Sequence, residues 1–244
     1  MKQYEAVINV MEANGGYATF GYLYQHVLKV PGCEWRTKTP FASIRRIVQD
    51  QRFFFRIKPG LWALKSHQEL VLEKFSIDDK SPDEKKKEFN HTYYQGLLVQ
   101  VGNLKGLGTF IPHQDKNKLY LSKPLSDYST LSEFHDFTYE SILRRARTVD
   151  VTWFNERRFP DSLFEVEHTT DMQNSLLKFL ELQDFNVGFN IVAPKSRRQK
   201  FEQKVSYTAF APIKTRVKFV TYEKLSAYHS RIFELAEIQK GLEL

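Results

Sequence analysis

VDVTWF (149–154) and SLFEVEHTT (162–170) are two short runs of β-branched and aromatic residues separated by a polar turn, and both read as strands. Side chains at i and i+2 of a strand share a face, so Glu165 and Glu167 project side by side. A neighbouring strand carrying Asp150 completes a cluster of three carboxylates. Acids in strands ordinarily face water on a half-exposed sheet. Here Val149, Val151, Leu163, Phe164 and Val166 flank them so closely that they fall near a core, where an uncompensated charge is costly. Such a cluster calls for a cation. Oxygen donors with open water positions suit Mg²⁺, which polarises a phosphate and activates water in phosphodiester hydrolysis.

Outward from this pair, FNVGFNIVAP (185–194) and RVKFVTY (216–222) are further strand candidates, and MQNSLLKFLELQDF (172–185) is helical. HTYYQGLLVQVGNLKGLGTFIPHQD (91–115) reads as a helix with a stripe at Tyr94, Leu97, Leu98 and Val101, then a glycine turn and a short strand. Strands interleaved with helices predict an α/β domain with a mixed central sheet flanked by helices.

In order and spacing, this half of the chain resembles the PD-(D/E)XK nuclease superfamily, whose motif is an Asp at a strand end followed by (D/E)-x-K on the adjacent strand. Asp150 matches the first position and Glu165 the second, while Glu167 stands where lysine is usual. The resemblance covers most of residues 89–222 and implies a restriction endonuclease. In it Mg²⁺ is held by Asp150, Glu165 and the carbonyl of Val166, and Glu167 positions or deprotonates water or serves a second metal. The Glu-for-Lys change keeps a second reading open, a non-catalytic DNA-binding regulator with a degenerate nuclease-like domain.

The first quarter of the chain has a different pattern. Tyr4, Val7, Ile8 and Met11 recur at helical spacing until Asn14-Gly15-Gly16. Thr19 precedes a second periodic stretch, and Thr39-Pro40 opens a third helix with Phe41, Ile44, Ile47 and Val48 as its apolar face. RFFFRI (52–57) and LWALK (61–65), joined by Pro59-Gly60, read as a hairpin. Three helices and a hairpin make a winged helix. WRTKTPFASIRRIVQDQRFFFRIKPGLWAL (35–64) resembles the HARE-HTH domain of restriction endonucleases and chromatin proteins, through Trp35, the Thr-Pro helix start, the Ser-Ile-Arg-Arg centre and the Pro-Gly-Leu-Trp-Ala-Leu wing. The polar stretch SIDDKSPDEKKKEFN (76–90) reads as a linker. The expected organisation is thus a winged helix over 1–66, a linker over 67–88 and a nuclease domain over 89–244.

Charge points to a polyanionic partner. Residues 1–65 carry ten basic side chains against four acidic, and residues 195–218 carry eight against one. Candidate contacts to double-stranded DNA are Arg36, Lys38, Ser43, Arg45, Arg46 and Gln49 in the first patch and Lys195, Arg197 and Arg198 in the second; each is equally compatible with a solvated surface. Arg46 and Ser43 lie most clearly opposite the apolar stripe of the third helix. The lone Cys33 cannot close an internal disulfide, there is no zinc-site spacing, and no apolar run spans a membrane, so a cytoplasmic protein is expected. Cutting both strands with one site per chain favours a homodimer, with sequential nicking by a monomer the alternative. His91, His113 and His135 have no partner at ligand spacing and are read as structural; His168, directly after the cluster, either caps the strand end, the more expected reading, or assists in substrate contact.

Overall fold

A computed structural model describes residues 1–168 and 172–242. The chain divides into two compact units, Met1–Pro82 with Ser226–Leu244, and Asp83–Leu225.

The first unit opens with α1 (Gln3–Ala13), β1 (Tyr17–Thr19), α2 (Phe20–His26) and α3 (Pro40–Ile47). The Thr19 hydroxyl accepts from the Tyr22 N–H at 3.3 Å and caps α2, while Pro40 sits in the first turn of α3, where its missing N–H costs nothing. A hairpin of β2 (Phe54–Lys58) and β3 (Leu61–Leu64) turns at Gly60, whose φ of 81° favours glycine. β1 pairs with the other edge of β3, making an antiparallel sheet of order β1-β3-β2. The core gathers Val7, Met11, Leu23, Ile44, Val48 and Phe54. The stretch expected as a linker carries α4 (Gln68–Lys74), anchored by buried Val71, and the opening turns of the next helix.

The second unit starts with α5 (Asp83–Leu104), followed by β4 (Gly108–Phe110), a small ribbon of β5 (Leu119–Tyr120) and β6 (Lys123–Pro124), and α6 (Glu140–Ala146). Then come β7 (Val151–Phe154), β8 (Pro160–Val166), α7 (Met172–Glu181), β9 (Gly188–Ala193), α8 (Arg198–Val205), β10 (Val217–Thr221) and α9 (Tyr222–Gly241). The five strands run in the order β10-β9-β8-β7-β4. β10, β9 and β8 are parallel neighbours, whereas β8–β7 and β7–β4 are antiparallel, so the sheet is mixed. One face is covered by α7 and α8, through Met172, Leu176, Phe179, Phe201 and Val205 packed on Leu163, Phe189 and Ile191. α5 packs against β7 and β8, and Trp153 of β7 donates its indole N–H to the Leu98 carbonyl of α5 at 3.1 Å. No helix among the described residues is long and apolar enough to cross a membrane. The last two residues of the strand candidate at 162–170, Thr169 and Thr170, lie outside the described residues.

Candidate active site

β7 and β8 pair with Val151 opposite Phe164, which sets Asp150, one residue before β7, opposite Glu165 at the end of β8. Leu163 packs into the α7-side core, and the two-residue alternation carries Glu165 and Glu167 to the same side. Both glutamates are buried, at 3% and 5% exposure, although each carries a carboxyl group. A buried carboxylate needs partners, and α7 supplies them. The Ser175 hydroxyl lies 2.9 Å from Glu165 Oε2 and is hydrogen-bonded to Glu167 Oε1 as well. The ammonium of Lys178, three residues on, sits 2.8 and 3.0 Å from the two oxygens of Glu165 and donates to the Thr148 carbonyl at 2.8 Å.

One serine hydroxyl has a single proton and cannot donate to two carboxylates at once. The conflict resolves if one glutamate is protonated. Burial, reinforced by the negative charge of Asp150, pushes Glu165 up to about 8 against the pull of Lys178 and Ser175.

Asp150 is held the opposite way. Burial alone would raise it, but His91, the Val166 N–H and Lys178 outweigh that and keep it below its ordinary value. Its Oδ2 accepts from the Val166 N–H at 2.7 Å and meets His91 Nε2 at 3.0 Å. Gln95, one turn further along α5, donates Nε2 to the Asp150 main-chain carbonyl at 3.1 Å and to Asp115 Oδ2 at 2.8 Å; Lys118 closes the chain on Asp115 at 2.6 Å. Nearby, Tyr222 stacks on Tyr94 with ring centroids 3.6 Å apart. Its hydroxyl is buried without a hydrogen-bond partner among the described residues, and burial followed by the charge of Glu167 pushes it far up.

Glu165 and Glu167 thus share Ser175, and Asp150 lies opposite Glu165, while Lys178, Ser175, His91, Gln95 and Tyr222 reach these acids from helices, at positions that no local motif marks. Helical phase alone places Ser175 and Lys178 on one side of α7, an i and i+3 pair legible only once the strand it faces is known. His91, read as structural from the sequence, is in contact with Asp150.

Among the described residues no three His, Cys, Asp or Glu side chains form a ready-made metal cage. Mg²⁺ asks for less, since it commonly uses one or two carboxylates and keeps several waters. The donor set fits that demand: Asp150 Oδ1 has no hydrogen-bond partner among the described residues, and Glu165 stands opposite on the next strand. Val166, whose carbonyl was the third expected ligand, follows Glu165 as the last residue of β8 and is buried.

Of the expected nucleic-acid contacts in the first unit, Lys38, Arg46 and Gln49 are exposed and Ser43 is partly so. Arg36 is exposed and paired with Glu34 at 2.7 Å. Arg45 points elsewhere, donating to the Tyr24 hydroxyl at 2.9 Å and to Glu234 of α9 at 2.7 Å. In the second unit Lys195 is exposed, Arg198 lies over Phe219 at 4.8 Å, and Arg197 donates to the His168 carbonyl at 3.1 Å, beside the end of β8.

The family model described as the C-terminal domain of the type II restriction enzyme NmeDI matches residues 72–242, and the chain belongs to that family. The type II restriction enzyme NmeDI of Neisseria meningitidis serogroup C is 25% identical over 136 residues, which is 52% of this chain and 39% of that relative. The match thus spans well under half the relative's length. No solved structure matches the chain.

Proposed function

We propose that this protein is a restriction endonuclease that hydrolyses phosphodiester bonds of double-stranded DNA with Mg²⁺, its second unit a PD-(D/E)XK nuclease and its first a winged helix that reads DNA. The observation that carries the reading is that Asp150, just before β7, stands opposite Glu165 near the end of β8, inside the residues matched by the restriction-enzyme family model.

Asp150 Oδ1, Glu165 and the Val166 carbonyl would hold the ion, which when bound supplies a Lewis acid for the phosphate and lowers the pKa of water. Glu167, hydrogen-bonded to Ser175, would take a proton from the attacking water. Lys178 keeps a positive charge at Glu165, where negative charge builds on the phosphate during attack, and such charge is most effective in a water-poor site. An ammonium at the cluster also weakens the degenerate-domain reading, which rested on the missing strand lysine. Arg197, next to the strand end, and Lys195 and Arg198 supply backbone contacts to DNA; Lys38, Ser43, Arg46 and Gln49 serve the first unit. Arg45 is committed to Tyr24 and Glu234 and acts structurally. Cleavage of both strands would pair two copies of the chain.

The test is cleavage of plasmid and phage DNA with Mg²⁺ and with a chelator. Asp150→Ala is expected to lose cleavage by at least about 10³-fold, because it removes a ligand acting in the chemical step, while binding DNA as before. Cleavage by Asp150→Ala at near wild-type rate, or unimpaired cleavage in chelator, defeats the proposal.

A further inference from the structure

α5 presents two donors one helical turn apart, at positions 91 and 95, and both end on the same residue. His91 Nε2 meets Asp150 Oδ2 at 3.0 Å, and Gln95 Nε2 meets the Asp150 carbonyl oxygen at 3.1 Å. The Val166 N–H, from β8, is the second donor to Oδ2 at 2.7 Å. A carboxylate bonded only at Oδ2 can rotate about its last side-chain torsion, which is broad for aspartate. Two donors on Oδ2 from different elements fix that rotation and leave Oδ1 as the one oxygen turned free. His91 Nδ1 is buried with no hydrogen-bond partner among the described residues, so the imidazole's one hydrogen bond is to Asp150. Gln95 is fully buried and anchored through Asp115, itself 3% exposed, to Lys118. The His91 side chain is 25% exposed, and leaving its buried Nδ1 unpaired costs of the order of 1 kcal/mol or more, so its bond to Asp150 is what sets the ring's orientation.

We propose that His91 is a positioning residue that locks the Asp150 carboxylate so that Oδ1 is aimed at the metal. This rests on the reading of Asp150 as a metal ligand, and it extends that site to α5, outside the strand motif. Donors one layer behind a ligand commonly set its orientation, and their loss typically weakens metal binding by about 10–100-fold.

The experiment compares His91→Leu, of similar bulk but without a donor, with His91→Gln, whose amide can reach Asp150, in the full chain. Mg²⁺ binding is measured by calorimetry without DNA, beside thermal melting, and the Mg²⁺ dependence of plasmid cleavage is followed in parallel. His91→Leu is expected to weaken Mg²⁺ binding about tenfold, with the same shift in the Mg²⁺ needed for half-maximal cleavage and the maximal rate less affected; His91→Gln is expected to recover most of the loss. Unchanged Mg²⁺ affinity in a folded His91→Leu, or an equal loss in both variants, overturns the proposal. Asp150→Asn separates the two levels of argument. If it abolishes Mg²⁺ binding while His91→Leu does not, only the role of His91 falls; if it leaves Mg²⁺ binding intact, the metal site itself falls, and the role of His91 with it.

Discussion

Glu165 is caught between a charge that welcomes it and surroundings that do not. Lys178 favours its ionised form, yet burial and Asp150 prevail and raise it to about 8. The sign for stability follows from linkage: a carboxyl group bound more tightly to its proton in the folded than in the unfolded chain stabilises the fold fully below the unfolded value near 4.5, and that contribution is lost as pH rises through about 8. The metal-free protein is therefore expected to lose melting temperature between about pH 5 and 8, and Glu165→Gln, which cannot titrate, to flatten that slope and to melt higher than wild type at pH 8. Urea or thermal unfolding across pH in chelator measures it. A wild type whose stability is level over this window, or one whose slope survives Glu165→Gln, shows that Glu165 is ionised in the folded protein. Adding Mg²⁺ at pH 8 should restore stability by exchanging a proton for a cation, a gain Glu165→Gln should largely lack.

Among the elements, α5 shows why part of the fold and site was readable and part was not. Its stripe at Tyr94, Leu97, Leu98 and Val101 predicts a helix with one apolar face, but residues from Phe89 to Gly102 are buried on almost every side, because the helix runs between the sheet and the β5–β6 ribbon. Gly96 marks the closest approach. A Cβ there would stand 2.1 Å from the ring of Tyr120, a side chain only 1% exposed, with nowhere to retreat. Gly96→Ala is expected to destabilise the protein by about 1–3 kcal/mol even though alanine is the better helix former, as overpacking outweighs a propensity gain of about 1 kcal/mol. Chemical denaturation checks the sign, and a stabilised Gly96→Ala would mean the ribbon yields easily. The strand carrying Glu165, and those flanked by Asp150 and Glu167, were legible because a period of two and β-branched runs are local signals, whereas the partners of those acids were not. Ser175, Lys178 and His91 lie 8 to 59 positions away from the groups they touch, and only the crossover geometry brings them in. β1 escaped notice for a different reason. Three residues, Tyr-Ala-Thr, are too few to show alternation, and pairing with β3 is what makes them a strand. The charged run at 83–88 looked like linker because its side chains face water, yet it forms the opening turns of α5, with Asp83 and Glu84 placed favourably at the helix start.

At the scale of the whole chain, sequence order and compactness part ways at α9. The helix begins at Tyr222 in the second unit, while its residues from Ser226 onward belong with the first. Phe233 is 7% exposed within the first unit's core, and its ring lies so close to Gly21 of α2 that a Cβ there would stand 2.8 Å away. Glu234, the next residue, holds Arg45 of α3 at 2.7 Å and Arg231 at 2.9 Å. The helix proposed to read DNA is thus braced by α9, and a piece ending near residue 66 would lack both the aromatic plug and the acidic partner. A chain cut after Leu225 should consequently lose DNA binding by its first unit, although residues 1–82 are intact, and Phe233→Ala in the full chain should cost about 3 kcal/mol through the cavity it leaves. Fluorescence anisotropy on duplex DNA across a salt series, with circular dichroism as the folding control, distinguishes the cases. Intact protein should show affinity falling steeply with salt as phosphate contacts release counterions. The shortened chain should bind weakly at every salt concentration and have lost helical signal beyond that of α9 itself. A shortened chain that keeps both the slope and the affinity would mean that α9 only leans on the first unit, and that Met1–Pro82 completes its core without it.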